Sequence, residues 1–490
     1  MFKNFSIKSY AKHYLINFLV KKKIINSYSE NISRKIINSN NCKQIDSEFF
    51  KKLQNTFVEI DNFTTEENSI AGWIPYFKNK TKIYLFNFLS VNYSIRKPVL
   101  ARFTLVENQK NFIQKSLVLP INYTHEIDVG KLFESDHNFN SLIVEIFSPL
   151  IKKNHGSNDG HFRFYGKYYS SSNDLNCMVH SMPMTKISSI VSKVSNHGRT
   201  YLIEDYKQNK FYNCYPCGKN ILKNIDLTNY GYTVIQSPKN EILSIYHQSD
   251  LPKKKLNQKF SAAYVPNEDD NSSDPYIYID GIENKNNLGI LKFYIVKENK
   301  IIEKKQINSS GEPFLMRESE IFGKKIKGKH FICLQIESYG NGYFHIHYVG
   351  SNGQLSDQVH SGVVNWIVEG DELIPKEKKT RSNCRKFCAF EIKKKSENRA
   401  IIYIDHLSNY EKQEIVIRFF INNQEYVQSL KVTSDQPFLI LDINKIVFDT
   451  TGLSECNGIL QIESYFNNYP AIYLHKNSLG NICTDHFTGG

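Results

Sequence analysis

The stretch Leu334–Gly362, LQIESYGNGYFHIHYVGSNGQLSDQVHSG, decides the fold. It reads as three short strands of alternating apolar and polar residues, parted by Gly/Asn-rich turns. The pattern returns at the C-terminus as LQIESYFNNYPAIYLHKNSLGNICTDHFTG, Leu460–Gly489. A weaker copy, made of LIVEIF, HFRFYGKYY and CMVHS, lies between Leu142 and Ser181.

Working outward, each copy is preceded by a similar opening: IAGWIPYFKNKTKIYLFNFL from Ile70, FSAAYVPNEDDNSSDPYIYIDGI from Phe260, and FCAFEIKKKSENRAIIYIDHL from Phe387. Phe260 and Phe387 stand 127 residues apart, and Leu334 and Leu460 stand 126 apart. A fixed period of this kind means internal repetition. Each unit offers about seven short strands with turn residues between them, which fits an antiparallel sandwich. The expected fold is mainly β: three tandem antiparallel β-sandwich repeats, immunoglobulin-like or jelly-roll-like, behind a short helical N-terminal segment.

The expected divisions are a helical basic segment at 1–65, a first repeat at 66–183, and a β-rich insert or degenerate repeat at 184–255. A second repeat follows at 256–363, then a linker at 364–383 and a third repeat at 384–490. The expected shape is beads in a row.

Net charge is +13 over 490 residues, but residues 1–45 hold nine Lys/Arg against Glu30 alone. A nucleic-acid binder spreads basicity over its folded face; here it belongs to a tail, so no nucleic-acid partner is expected. Such a basic amphipathic segment suits either weak contact with a membrane surface or a helical cap on the first repeat. There is no signal peptide of the usual form and no apolar run of transmembrane length. The nine cysteines form no disulfide framework. The default compartment is the cytoplasm, with export by another route as the alternative.

Strand register selects the candidate binding residues. An Asn352-Gly353 hairpin sets His345 opposite His360, with His347 on the same face. A Gly340–Gly342 loop would bring Glu337 opposite His345. The analogous rows are Glu463, Tyr473 and His486 in the third copy, and Glu145, Arg163 and His180 in the first. Three readings fit these outward rows: cross-strand pairs that only hold a sheet face together, a glycan-binding face, and a metal site of Glu337, His345 and His360 in the middle copy. Tyr and Arg replace the central histidine elsewhere, so no metal common to all copies is expected, and no cofactor.

Other motifs are thin. Cys214 and Cys217 form a Cys-x-x-Cys in the β-rich insert rather than at a helix start. Asp128, Glu318 and Asp442 read as caps of short turns, and His155 and His161 lie in a polar loop. With no nucleophile, dinucleotide or phosphate motif, the expectation is a non-enzymatic binding or assembly protein, its partner a carbohydrate or another protein. The alternative is a glycan-acting enzyme with one catalytic bead, which needs a second carboxylate across a groove.

Overall fold

The computed structural model describes residues 69–489, except 94–95, 108–111, 135–140, 149–162, 185–190, 196–209, 218–230, 238, 249–253, 267–273, 280–288, 310–313, 341–343, 350–354, 361, 365, 376–383, 405–413, 433–436 and 465–470. The basic N-terminal segment and the loop of His155 and His161 therefore lie outside the described residues. The protein is mainly β, built from seven antiparallel sheets with four short helices among the described residues.

Three of the large sheets share one strand order. In the first it runs Phe112–Leu119, Val99–Val106, Ser141–Phe147, Ser69–Pro75, Met182–Met184. The second repeats it as Lys300–Ser309, Gly289–Lys297, His330–Gly340, Lys254–Val265, Gly362–Val364. The third repeats it as Gln424–Lys431, Glu414–Ile421, Cys456–Ser464, Cys384–Ile392, Thr488–Gly489. Where a linker is expected from residue 364, the chain instead makes the hairpin Trp366–Glu369 and Glu372–Pro375, which extends the second sheet.

Each large sheet has a four-stranded companion, again in one order. These are Thr124–Asp128, Thr81–Phe86, Tyr165–Tyr169, Leu175–His180; then Phe314–Arg317, Tyr276–Ile279, His345–Val349, Leu355–His360; then Phe438–Asp442, Glu397–Tyr403, Ala471–Lys476, Ile482–His486. The strand that ends each list is its closing strand. Residues 184–255 contribute a fourth sheet of this size, Val191–Ser195, Lys210–Cys217, Gly231–Gln236, Ile242–Gln248, which ends in its own closing strand.

Local chemistry explains the hairpins that lead into three closing strands. The Ser170, Ser237 and Asn477 amides donate to the Asp174, Glu241 and Asn481 carbonyls at 2.8–2.9 Å. The fourth residue of each turn must be left-handed, and it is Asn173, Asn240 or Gly480, at φ 64°, 61° and 82°. Asn and Gly adopt that conformation at least cost. The inserted sheet thus carries the same hairpin as the first and third pairs.

Three of the four short helices, Val129–Phe133, Glu318–Phe322 and Ile443–Thr451, sit at one place in each pair. Asp128 and Asp442 cap theirs, their carboxylates accepting from the Lys131 and Lys445 amides at 3.1 Å. The second departs from expectation: Glu318 lies one residue inside its helix and bonds His330 Nε2 at 2.8 Å, while Asp274 accepts from the Ser319 amide at 2.9 Å.

The units are not beads in a row. One apolar cluster joins Trp73, Phe103 and Tyr165 of the first pair, Tyr232 and Val234 of the inserted sheet, and Phe387 and Leu460 of the third pair. A second joins Phe260 and Phe293 of the second pair to Ile401, Phe438 and Leu474 of the third. A third joins Ile235 and Tyr246 of the inserted sheet to Tyr276 of the second. The closing strands pack accordingly: Leu175–His180 lies beside Ile482–His486 and Ile242–Gln248, and Leu355–His360 lies beside the same two. The circular order is inserted sheet, first pair, third pair, second pair, and back.

Hydroxyls mark three of these junctions. Tyr232 of the inserted sheet donates to the Trp73 carbonyl of the first pair at 2.9 Å. Tyr165 of the first donates to Phe387 of the third at 2.8 Å, and Tyr403 of the third donates to Ala262 of the second at 2.8 Å. The accepting residues occupy one position, since Trp73, Ala262 and Phe387 pair with Met182, Gly362 and Thr488, two residues after His180, His360 and His486. The first, second and third four-stranded sheets share an apolar cluster with their own large sheet, and all four lay part of one face on a neighbouring unit.

Candidate functional site

The expected rows are taken apart by this architecture. Glu337 lies on a large-sheet strand, opposite Ile290, whereas His345 lies on a four-stranded sheet, opposite Tyr278 and His360. The chain crosses between sheets where a hairpin was expected, so Glu337, His345 and His360 form no row. Only the register of His345 with His360 and of Ile346 with Val359 agrees with the sequence reading. Glu145 and Glu463 likewise sit in large sheets. Glu145 is buried in an ion pair with Arg102 at 3.7 Å. Glu463 is buried between Arg385 at 3.0 Å and Arg418 at 2.5 Å.

Two register errors have a physical cause. The third hairpin turns through Asn477–Asn481 rather than at Leu479-Gly480, so His486 pairs with Ile472 and Tyr473 pairs with Asp485. A one-residue slip reverses every side chain, and Tyr473 points inward, wholly buried, its hydroxyl 2.5 Å from Asn398 Oδ1. In the first pair a bulge at Tyr168/Tyr169 puts Tyr165, not Arg163, opposite His180.

His345 and His347 do face away from their own core, but the neighbour they meet is the inserted sheet. Tyr246 lies about 6.1 Å, centroid to centroid, from each ring, and Tyr278 lies 5.9 Å from His345. Burial lowers the His347 pKa to about 3, so it is neutral at physiological pH.

The polar residues that the structure does bring together lie between the first and third pairs, in two groups. In the first, the fully buried Lys167 ammonium lies 2.8 Å from Glu391 and 3.2 Å from Glu126, and the Tyr169 hydroxyl donates to both carboxylates at 2.7 and 2.9 Å. Burial opposes the charged form of Glu391, but Lys167 and Lys393 outweigh it and hold its carboxyl well below the usual range. Burial opposes the Glu126 charge in the same way and Lys167 again prevails, lowering its pKa. Burial opposes the Lys167 charge, and Glu391 and Glu126 raise its pKa despite this. His475 completes the group, 2.9 Å from Asn398 Oδ1 and 3.1 Å from the Glu391 carbonyl, and burial lowers its pKa to about 4.

The second group is His180, Asp485 and His486. His180 Nδ1 lies 2.9 Å from Asp485 Oδ1, and His486 Nδ1 lies 3.4 Å from the same oxygen. Among the described residues these three are the His/Cys/Asp/Glu group that could hold a metal ion, their ligand atoms within 4.8 Å of one another. Asp485 was missed in the sequence because the slipped register hid it; the recurring terminal histidine was the signal that pointed near it. Cys214 and Cys217 pair with Val194 and Val191 on the inserted sheet; their side chains lie outside the described structure.

No family model and no curated protein matches the sequence. A tetra-tandem repeat from the extending region of a large adhesion protein aligns over 89% of this chain and 97% of its own, at 8% identity and a TM-score of 0.08. So small a score carries no argument about fold or function.

Proposed function

We propose that the chain is a non-enzymatic binding or assembly protein. It consists of three tandem β-sandwich repeats, with the inserted sheet as a degenerate fourth, closed into one body that offers free sheet edges to a protein partner. The shared strand order supports the repeats, and the shared hairpin supports the fourth. One observation carries the binding reading. Among the described residues, Phe112–Leu119 and Gln424–Lys431 end their sheets with one paired strand each, and Lys300–Ser309 meets a second only at its start, through Lys300 and Ile301. These equivalent strands expose Val118, Val427 and Ile302 at 42%, 52% and 46%. An open edge with apolar side chains is the surface to which an extended peptide adds as a further strand.

The carbohydrate reading drew on Tyr and His side chains turned to solvent, and His180, His345, His347 and Tyr473 are buried. That favours protein over glycan. The enzyme reading needs two carboxylates facing across a groove. Glu126, Glu145, Glu391 and Glu463 are each committed to a cation within the protein.

The test is selection of a displayed random-peptide library on the full chain and on the triple variant Val118→Lys/Ile302→Lys/Val427→Lys, with a glycan array in parallel. β-prone peptides bound by the wild type should lose at least about tenfold in affinity on the variant. Peptides bound equally by both proteins sink the edge proposal. Glycans retained by both revive the carbohydrate reading.

A further inference from the structure

All four closing strands carry a histidine at one register position near their ends. His180 pairs with Tyr165, His247 with Tyr232, His360 with His345, and His486 with Ile472. The chain has 15 histidines in 490 residues, so chance does not account for four at one position. The strands are neighbours around the ring. At least two of them run alongside in one direction: Asn176 donates to the Ile242 carbonyl near the starts, and Tyr232, the partner of His247, donates to the His180 carbonyl near the ends.

At the junction of the first and third pairs two of these histidines meet. The His180 and His486 rings lie 4.2 Å apart at 88°. Asp485 shares one carboxylate oxygen with both, as described, and its second oxygen is buried with no hydrogen-bond partner among the described residues. A buried carboxylate oxygen left without a partner calls for an explanation, and an unseen ion is one.

We propose that His180, Asp485 and His486 bind a transition-metal dication of the zinc type, which ties the first repeat to the third. Two imidazoles and a carboxylate form a borderline nitrogen–oxygen donor set that suits zinc and its neighbours rather than magnesium or calcium. Tetrahedral bonds of about 2.0–2.1 Å place ligand atoms about 3.4 Å apart. The nitrogen–oxygen contacts of 2.9 and 3.4 Å lie close to that, and all three ligand atoms fall within 4.8 Å of one another. The ion replaces the proton that otherwise lies between His180 Nδ1 and Asp485 Oδ1. Arg163 is within electrostatic reach of Asp485, so guanidinium and metal compete for its charge and the affinity is lower than for an uncommitted carboxylate.

The full chain, stripped with chelator, would be titrated with zinc chloride by calorimetry. One equivalent of zinc should bind, and His180→Gln and His486→Gln should each weaken it by about 10–100-fold or more. His475→Gln, a buried histidine of the same junction, should bind like the wild type. X-ray absorption on the zinc-loaded wild type needs no variant, and should show imidazole nitrogen and carboxylate oxygen around the metal. No stoichiometric uptake overturns the site, as do a thiolate shell or equal losses in all three variants.

Discussion

The junction of the first and third pairs and that of the third and second are built alike and filled differently. In both, the second face of a four-stranded sheet lies on the next unit, and a tyrosine hydroxyl meets the carbonyl of an equivalent residue, Phe387 or Ala262. Around Phe387, besides the edge-on ring of Phe86, the filling is ionic: Lys167, Glu126, Glu391 and the His180–Asp485–His486 group. Around Ala262 it is aromatic. Phe331 stacks on Phe438 with centroids 3.5 Å apart, and Trp366 meets Phe438 edge-on at 4.7 Å. One geometry thus accepts two chemistries, which differ in how they fail. An apolar contact loses stability in proportion to what is removed, whereas a buried charge left alone costs far more than its pair contributes.

The sharpest way to break the symmetry is Lys167→Met. It leaves the buried Glu391 and the half-buried Glu126 with the more exposed Lys393 and Lys82 as their remaining cations, beside the Tyr169 hydroxyl. A loss of about 3 kcal/mol is expected from such unpairing. Adding Glu391→Gln should restore part of it, because the charge that lost its partner is then gone. Urea midpoints of the two variants test this; a double variant no more stable than Lys167→Met would show that the pair acts through packing alone.

The next effect depends on pH and involves His475 at the first–third junction and His347 where the second pair meets the inserted sheet. His347 and His475 have folded pKa values of about 3 and about 4, below the unfolded value of 6.5. Below pH 6.5 the unfolded chain takes up the proton first, so their contribution is complete above that pH and declines as pH falls towards the folded values. Between pH 7 and pH 5 each should cost about 2 kcal/mol. Glu391, whose folded pKa is depressed, contributes above the unfolded carboxylate range and loses that contribution only at lower pH. His347→Leu should flatten the stability profile between pH 7 and 5 relative to the wild type; an unchanged slope would contradict its burial as a neutral ring.

How far the sequence carries this picture follows from what each side chain reports. The alternation in segments such as His345–Tyr348 reveals strands and the His345–His360 register, because core exclusion of water is written along a single strand, and the period of 126–127 residues matches large sheets that share one strand order. The closed ring was harder to read, since the partner of a strand's second face is remote in sequence. A signal was nonetheless present. Ala400–Ile404, AIIYI, is apolar at every position, and Ile401 and Tyr403 belong to the cluster shared with the second pair while Ala400 and Ile402 belong to the other. Strands apolar on both faces are covered on both faces. The polar row failed for the complementary reason: Glu, Lys and His on a second face look solvated until the chain brings them a partner, as Lys167 finds Glu391, 224 residues away.

The smallest effect tests the feature that the two junctions share. Tyr165→Phe and Tyr403→Phe each keep the buried ring and remove one hydroxyl, leaving the Phe387 or Ala262 carbonyl short of a donor. A neutral hydrogen bond contributes about 1 kcal/mol net, and that loss is expected at the aromatic junction. At the ionic junction Thr488 also donates to the Phe387 carbonyl, at 3.3 Å, so the carbonyl keeps a partner and Tyr165→Phe should cost less than Tyr403→Phe. Measured by urea denaturation in the two single variants, equal losses would mean that Thr488 does not compensate. A larger loss for Tyr165→Phe would mean that its hydroxyl also supports the neighbouring charges, and the junctions would then differ in their common element as well as in their filling.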